Sequence, residues 1–237
     1  GLWRSRKGQF AKAEPYLRRA VKTLTEKNPN PYDGEPLYNL GLSLKYQGKT
    51  DEAYDCFYKA CWNAAWQDAG YYSLAQLSAS KGNWEDALYE IDKSLLRNWH
   101  NLRGRHLKAI VLRHLGRVDE ALALIRESLA IDRFNFGCSF EEYLLTGEKA
   151  VLDDLLVRMR SEGHNYEELS LDYASAGCFE EALKVVEAAF EGVVSERTLL
   201  HYYKSWFLLS LGRLKEAEMA ICVAEHQPAD CCFPNAL

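Results

Sequence analysis

Residues Leu37–Ala60 read LYNLGLSLKYQGKTDEAYDCFYKA. Leu37, Leu40, Gly41 and Leu44 recur at the three- and four-residue spacing of one helix face, Gly48 interrupts, and Ala53, Phe57 and Ala60 resume the same period. Asp51 and Glu52 place negative charge at the positive end of the second segment. A glycine between two helical segments takes up the left-handed C-cap conformation at little cost. The stretch therefore predicts two antiparallel helices joined at Gly48.

The pattern of a glycine, a small residue five places on and another twelve places on runs along the chain. Gly8 is followed by Ala13 and Ala20, Gly82 by Ala87 and Ser94, Gly116 by Ala121 and Ser128, Gly177 by Ala182 and Ala189, and Gly212 by Ala217 and Ala224. Gly48, Gly82 and Gly116 are 34 residues apart, and Gly177 and Gly212 are 35 apart. A hairpin of this size cannot bury its apolar face alone, so successive hairpins stack and share an elongated core.

The leading stretch resembles the tetratricopeptide repeat (TPR) family, whose unit of roughly 34 residues carries an aromatic, a leucine, a small residue and a hairpin glycine in its first helix. Tyr71, Leu74, Ala75 and Gly82 follow the same scheme, as do Tyr166, Leu169, Ser170, Tyr173 and Gly177, with a looser copy at His201, Lys204, Ser205 and Gly212. The resemblance implies an all-α fold, a right-handed α-solenoid of stacked antiparallel helical hairpins. It implies one solenoid over residues 1–237, divided as a partial first hairpin (1–27), a loop insert (28–36), three regular repeats (37–133), a degenerate short hairpin (134–163), two further repeats (164–226) and a tail (227–237). Two departures stand out. The 61 residues from Gly116 to Gly177 are divided as 31 and 30 by Gly147, and the 40 residues from Gly8 to Gly48 contain a proline- and asparagine-rich insert that supports no helix before Pro36. Pro15 inside the second helix predicts a late start or a kink there. Leu2–Lys7 is room only for the end of a first helix, which suggests a polypeptide that continues upstream. The stretch 28–66 is similar to the C-terminal TPR region of large bacterial proteins with an N-terminal domain of unknown function, which implies a context but no catalytic residue.

Composition limits the chemistry. The net charge of −5, from 29 Lys+Arg and 34 Asp+Glu, gives no general attraction to nucleic acid or anionic lipid. No apolar run reaches the ~18 residues that span a bilayer. Seven cysteines without CxxC spacing read as reduced thiols in a cytoplasmic protein, Cys231 and Cys232 lying in the tail. Six residues separate Gly41 from Gly48, whereas a phosphate-binding loop needs four. His106 and His114 lack the carboxylate or thiolate neighbours of a metal site, and Tyr54, Phe57, Tyr58, Cys61, Trp62, Ala65 and Trp66 read as one helical stripe facing the core. Trp66, past an ordinary second helix, is a candidate to close the insert or face a partner. Neither cofactor nor metal nor catalytic motif is expected.

In TPR stacks the residues ten, nine, six and three places before each glycine line the concave face. The resemblance thereby selects Tyr38, Asn39, Leu42 and Lys45, then Tyr72, Ser73, Gln76 and Ala79, then His106, Leu107, Ile110 and Arg113, then Glu167, Glu168, Leu171 and Ala174, and finally Tyr202, Tyr203, Trp206 and Leu209. Leu42, Gln76 and Ile110 stand where chaperone-clamping repeats use asparagine, so that role is not supported. The function implied is a non-catalytic scaffold binding a protein or peptide segment, or the upstream domain of its own chain, through Tyr38, Asn39, Tyr72, Gln76, His106, Arg113, Tyr202 and Trp206. An accessory module for a carbohydrate-active enzyme domain in the same parent, with Trp66 and Tyr32 reaching its site, is the alternative.

Overall fold

A computed structural model describes residues 1–29, 31–191 and 197–227. Cys231 and Cys232 lie outside the described residues. Within these bounds the chain forms helices paired about seven glycines: α1 (Leu2–Ser5) and α2 (Phe10–Thr25), α3 (Glu35–Lys45) and α4 (Thr50–Ala60), α5 (Gln67–Ser80) and α6 (Trp84–Arg97), α7 (Leu102–His114) and α8 (Val118–Ile131), α9 (Phe136–Thr146) and α10 (Lys149–Met159), α11 (Gly163–Ser175) and α12 (Phe179–Glu191), and α13 (Thr198–Ser210) and α14 (Leu214–Glu225). No strand occurs among the described residues. The helices fall into two compact units, Gly1–Gly104 and the chain from Arg105 onward.

The hairpin glycines Gly8, Gly48, Gly82, Gly116, Gly147, Gly177 and Gly212 all have φ between 68° and 78°. At Gly48 the termination is a Schellman turn: its N–H bonds the Lys45 carbonyl and the Lys49 N–H bonds the Leu44 carbonyl, each at 3.0 Å. A Cβ at Gly48 would meet nothing within 4 Å, so the position demands glycine for its backbone and not for space. The acidic residues that follow, Asp51 and Glu52, sit in the first turn of α4 without capping by the preceding Lys49 side chain, and stabilise the helix through its dipole.

The small residues make the packing. In the first unit Ala13, Leu17, Leu40, Leu44, Ala53, Phe57, Cys61, Leu74 and Leu77 form one core. Gly41 lets α3 lie against Phe57, whose ring would be 2.7 Å from an added Cβ. Ala53, Ala60, Ala87, Ser94, Ala121, Ser128, Ala182, Ala189, Ala217 and Ala224 are all buried, whereas Ala20 is exposed because α1 is only four residues long. In the second unit Leu183, Leu208, Ala217 and Ala220 form the corresponding cluster of the last two hairpins.

Several local expectations change. Helix α2 starts at Phe10, well before Pro15; the carbonyl deprived of a partner by the proline belongs to exposed Ala11, where water can satisfy it. Helix α3 begins at Glu35, one residue before Pro36, because proline in the first turn has no N–H to waste. The aromatic stripe is not one helix: α4 stops at Ala60 and a 3₁₀ turn follows at Ala64–Trp66. Phe57 and Cys61 are core, but Tyr58 and Trp62 are exposed and meet edge to face. Trp66 closes the insert: its Cδ1 would be 2.9 Å from a Cβ on Gly34, and the Asn63 amide donates to the Tyr32 carbonyl.

The short fifth hairpin has a physical origin. Only Gly147 and Glu148 separate α9 from α10, against four residues at Gly48, and Gly147 makes a simpler left-handed cap with its N–H on the Tyr143 carbonyl at 2.8 Å. The hairpin leaves through Arg160 and Ser161, both non-glycine residues at positive φ (56° and 54°). The two sites make opposite predictions: Arg160→Gly stabilises by about 1 kcal/mol and Gly48→Ala destabilises by about 1–2 kcal/mol. Paired urea unfolding curves check both, and a midpoint lowered by Arg160→Gly is the contrary result.

Candidate functional site

In the first unit three of the first-helix residues, Lys45, Gln76 and Tyr72, are linked in a chain. Lys45, in the last turn of α3, donates from Nζ to Gln76 Oε1 at 2.7 Å, and Gln76 Nε2 donates to the Tyr72 hydroxyl at 3.1 Å. Burial lowers the Lys45 ammonium to about 8. Tyr38 has its ring packed on Phe57 (centroids 5.4 Å) and Trp66 (4.9 Å) and its hydroxyl accepting from Ser73 Oγ at 3.5 Å. Asn39 donates to the Glu35 carbonyl at 2.9 Å. Tyr38, Asn39, Lys45 and Tyr72 are half-buried, and Gln76 is buried.

In the second unit the residues nominated from sequence separate into two kinds. Tyr202 and Trp206 are open on α13, 40% and 45% exposed, and Leu209 continues their row at 48%. Trp206 rests its ring on Phe179 (6.0 Å) and Phe207 (5.2 Å), which holds the indole without covering it. His106 and Arg113 are instead built into the fold. His106 is 3% exposed, lies edge-on to Tyr173 at 4.9 Å, and fills the space over Gly137, where an added Cβ would be 2.3 Å from the imidazole ring. Arg113 Nε bonds Glu141 Oε2 at 2.7 Å and its Nη2 reaches Glu181 Oε1 at 3.0 Å, while the Tyr173 hydroxyl donates to Glu141 Oε1 at 2.7 Å. His106 is buried under α9, whereas Arg113 is half-buried and held by the two carboxylates.

Two buried thiols are committed internally, while Cys222 is exposed on α14. His114 Nε2 lies 3.5 Å from Cys178 Sγ, and burial pushes that thiol up to about 12, so it is no nucleophile at neutral pH. Cys61 is likewise pushed up to about 12 by burial. A cavity of about 590 Å³ lies among α8, α9 and α10, lined by Leu129, Arg133, Glu142, Ala150, Val151, Asp154 and Arg158, and Arg158 is paired there with Asp154 at 2.8 Å.

Two predictions follow from these geometries. Because Lys45 is lowered in the folded chain relative to the unfolded one, the folded state binds fewer protons between pH 8 and 10 and stability rises with pH across that window. Competitive acetylation read by mass spectrometry gives a Lys45 midpoint near 8, and Gln76→Glu moves it upward by placing a carboxylate against the ammonium. Arg113→Ala leaves fully buried Glu141 without its cation and destabilises by about 3–5 kcal/mol; calorimetry checks this, and an unchanged melting temperature contradicts it.

Comparison with known proteins bears on the repeats and the fold. Tetratricopeptide repeat profiles match residues 34–61 and 72–136. The fold is similar to a crystal structure of a tetratricopeptide repeat protein from Parabacteroides merdae (TM-score 0.59, 20% identity, covering 96% of this chain and 90% of that one). It is also similar to the crystal structure of MamA (TM-score 0.50, 17% identity, covering 79% of this chain and 91% of that one). Residues 34–61 and 72–136 carry tetratricopeptide repeats, and the fold class is the all-α solenoid of helical hairpins.

Proposed function

We propose that this repeat-bearing chain is a non-catalytic scaffold that binds a protein or peptide segment through the first helices of its hairpins. The observation that carries the reading is the open row Tyr202, Trp206 and Leu209, ten, six and three places before Gly212. Large apolar side chains at one helical face, rimmed by a hydroxyl and an indole N–H, are the composition of a recognition surface. Tyr38, Asn39, Tyr72, Gln76 and Lys45 supply a more polar stretch in the first unit. The thiols of Cys61, Cys138 and Cys178 are buried and pushed up to about 12, poor material for nucleophilic chemistry, which favours binding over catalysis.

The segment bound is a partner protein or the upstream domain of a larger polypeptide, and we place the chain in the bacterial cytoplasm on its unpaired cysteines. Among the described residues no helix is long and apolar enough to cross a membrane. Trp66 is engaged with Tyr38 and Gly34, which weakens the alternative of an aromatic arm serving a carbohydrate-active domain.

Selection of peptides from a random displayed library against the folded chain tests the scaffold reading. Selected peptides bind the Tyr202→Ala/Trp206→Ala variant at least tenfold more weakly, with helicity unchanged. Peptides that bind both chains equally remove this row from the function.

A further inference from the structure

A polar cavity of about 290 Å³ lies in the first unit among α4, the end of α5 and the start of α6. Asp51, Tyr54 and Asp55 line it from α4, Asp86 from α6, and Ser78 and Lys81 from the α5 end. The three aspartates are not equivalent. Asp51 is paired at 2.6 Å with Lys81 Nζ, the one cation of this lining. Asp55 and Asp86 are exposed and have no ion-pair partner among the described residues.

A fourth carboxylate forms the floor. Glu90 is 4% exposed; its Oε1 accepts from the Tyr54 hydroxyl at 2.6 Å, and its Oε2 has no hydrogen-bond partner among the described residues. Glu90 stands one helical turn after Asp86, and side chains lean toward the N-terminus of their helix, which carries this carboxylate toward the cavity. Burial pushes the Glu90 carboxyl up from the ordinary range, the hydroxyls of Ser78 and Tyr54 oppose that, and the charge of Asp86 adds to it. A buried acceptor without a donor and carboxylates that repel one another both cost free energy in the empty cavity, and a cation seated there recovers it.

The kind of cation follows from the spread of the acceptors. Among the described residues no three histidine, cysteine or carboxylate side chains are placed to hold a metal ion. A guanidinium is planar and directs five N–H donors outward, so it serves acceptors on two helices at once, which a compact ammonium does less well. The volume is at the lower end for ligand sites and suits a single side chain.

We infer that this cavity is a receptor for a guanidinium group, with Asp55 and Asp86 as its ion-pair partners above the Glu90 carboxylate. The site lies apart from the first-helix row of Tyr202 and Trp206 and stands or falls without it.

The test is calorimetric titration of the whole chain with three probes: an acetylated, amidated ten-residue Gly/Ser peptide with one central arginine, the same peptide with neutral citrulline in its place, and N-acetylarginine amide. The arginine peptide binds at least tenfold more tightly than the citrulline peptide. Asp55→Asn/Asp86→Asn abolishes that preference with helicity unchanged, whereas Asp119→Asn/Glu218→Gln, which removes the same charge from exposed positions of the second unit, keeps it. Lys81→Gln, which frees Asp51, strengthens binding of the arginine peptide, and Glu90→Gln weakens it. N-acetylarginine amide bound at least as tightly as the arginine peptide makes the ligand a free guanidinium compound, and weaker binding makes it an arginine within a peptide; both support the receptor. Equal binding of the arginine and citrulline peptides, no binding of any probe, or a preference that survives Asp55→Asn/Asp86→Asn overturns it and leaves the first-helix row standing.

Discussion

The left-handed glycine that closes each hairpin is the constraint on which the rest of the structure depends. A chain reversal in two to four residues requires one backbone position at φ near +70°, and only glycine takes it without a side-chain penalty. Once that reversal is fixed, the residue five places on faces the preceding helix at close range and must be small. The buried alanines and serines of the second helices are therefore consequences of the turn as much as of hydrophobicity. The Schellman bonds at Gly48 and its counterparts also satisfy carbonyls that a helix end would otherwise leave to water.

Where the turn changes, the packing changes with it. The two-residue connection at Gly147 brings α9 and α10 together in a shorter hairpin, and Gly137 at the head of α9 allows that helix to press on His106. The same helix carries Glu141 to Arg113. The short hairpin thus carries a buried carboxylate to a half-buried arginine and a glycine to a buried imidazole.

The hairpin glycines, the small residues after them, the insert and the short fifth hairpin were all legible in the sequence, because each is a local requirement of backbone geometry. The division of the nominated surface residues was not. Register places His106, Arg113, Tyr202 and Trp206 in equivalent rows, and only the approach of a neighbouring helix decides which of them sees solvent. Gly137, a glycine away from any hairpin turn, and Glu141, an acid among Cys138, Ser139 and Phe140, were the available signals of that close approach. Lys45 was in the selected row, but its bond to Gln76 depends on where that amide points, which spacing does not encode.

The polar links between hairpins have a bearing on how the chain opens. In the first unit they join hairpins one pair at a time, as Lys49 to Glu14 and Lys81 to Asp51 do. Nearest-neighbour coupling of that kind lets hairpins fray singly from an end. Arg113, Glu141, Tyr173 and Glu181 instead tie three successive hairpins through one buried carboxylate. Parting the fourth hairpin from the fifth strands the buried Glu141 carboxylate without Arg113, so amide protons from α7 to α10 should exchange with solvent as a single cooperative block.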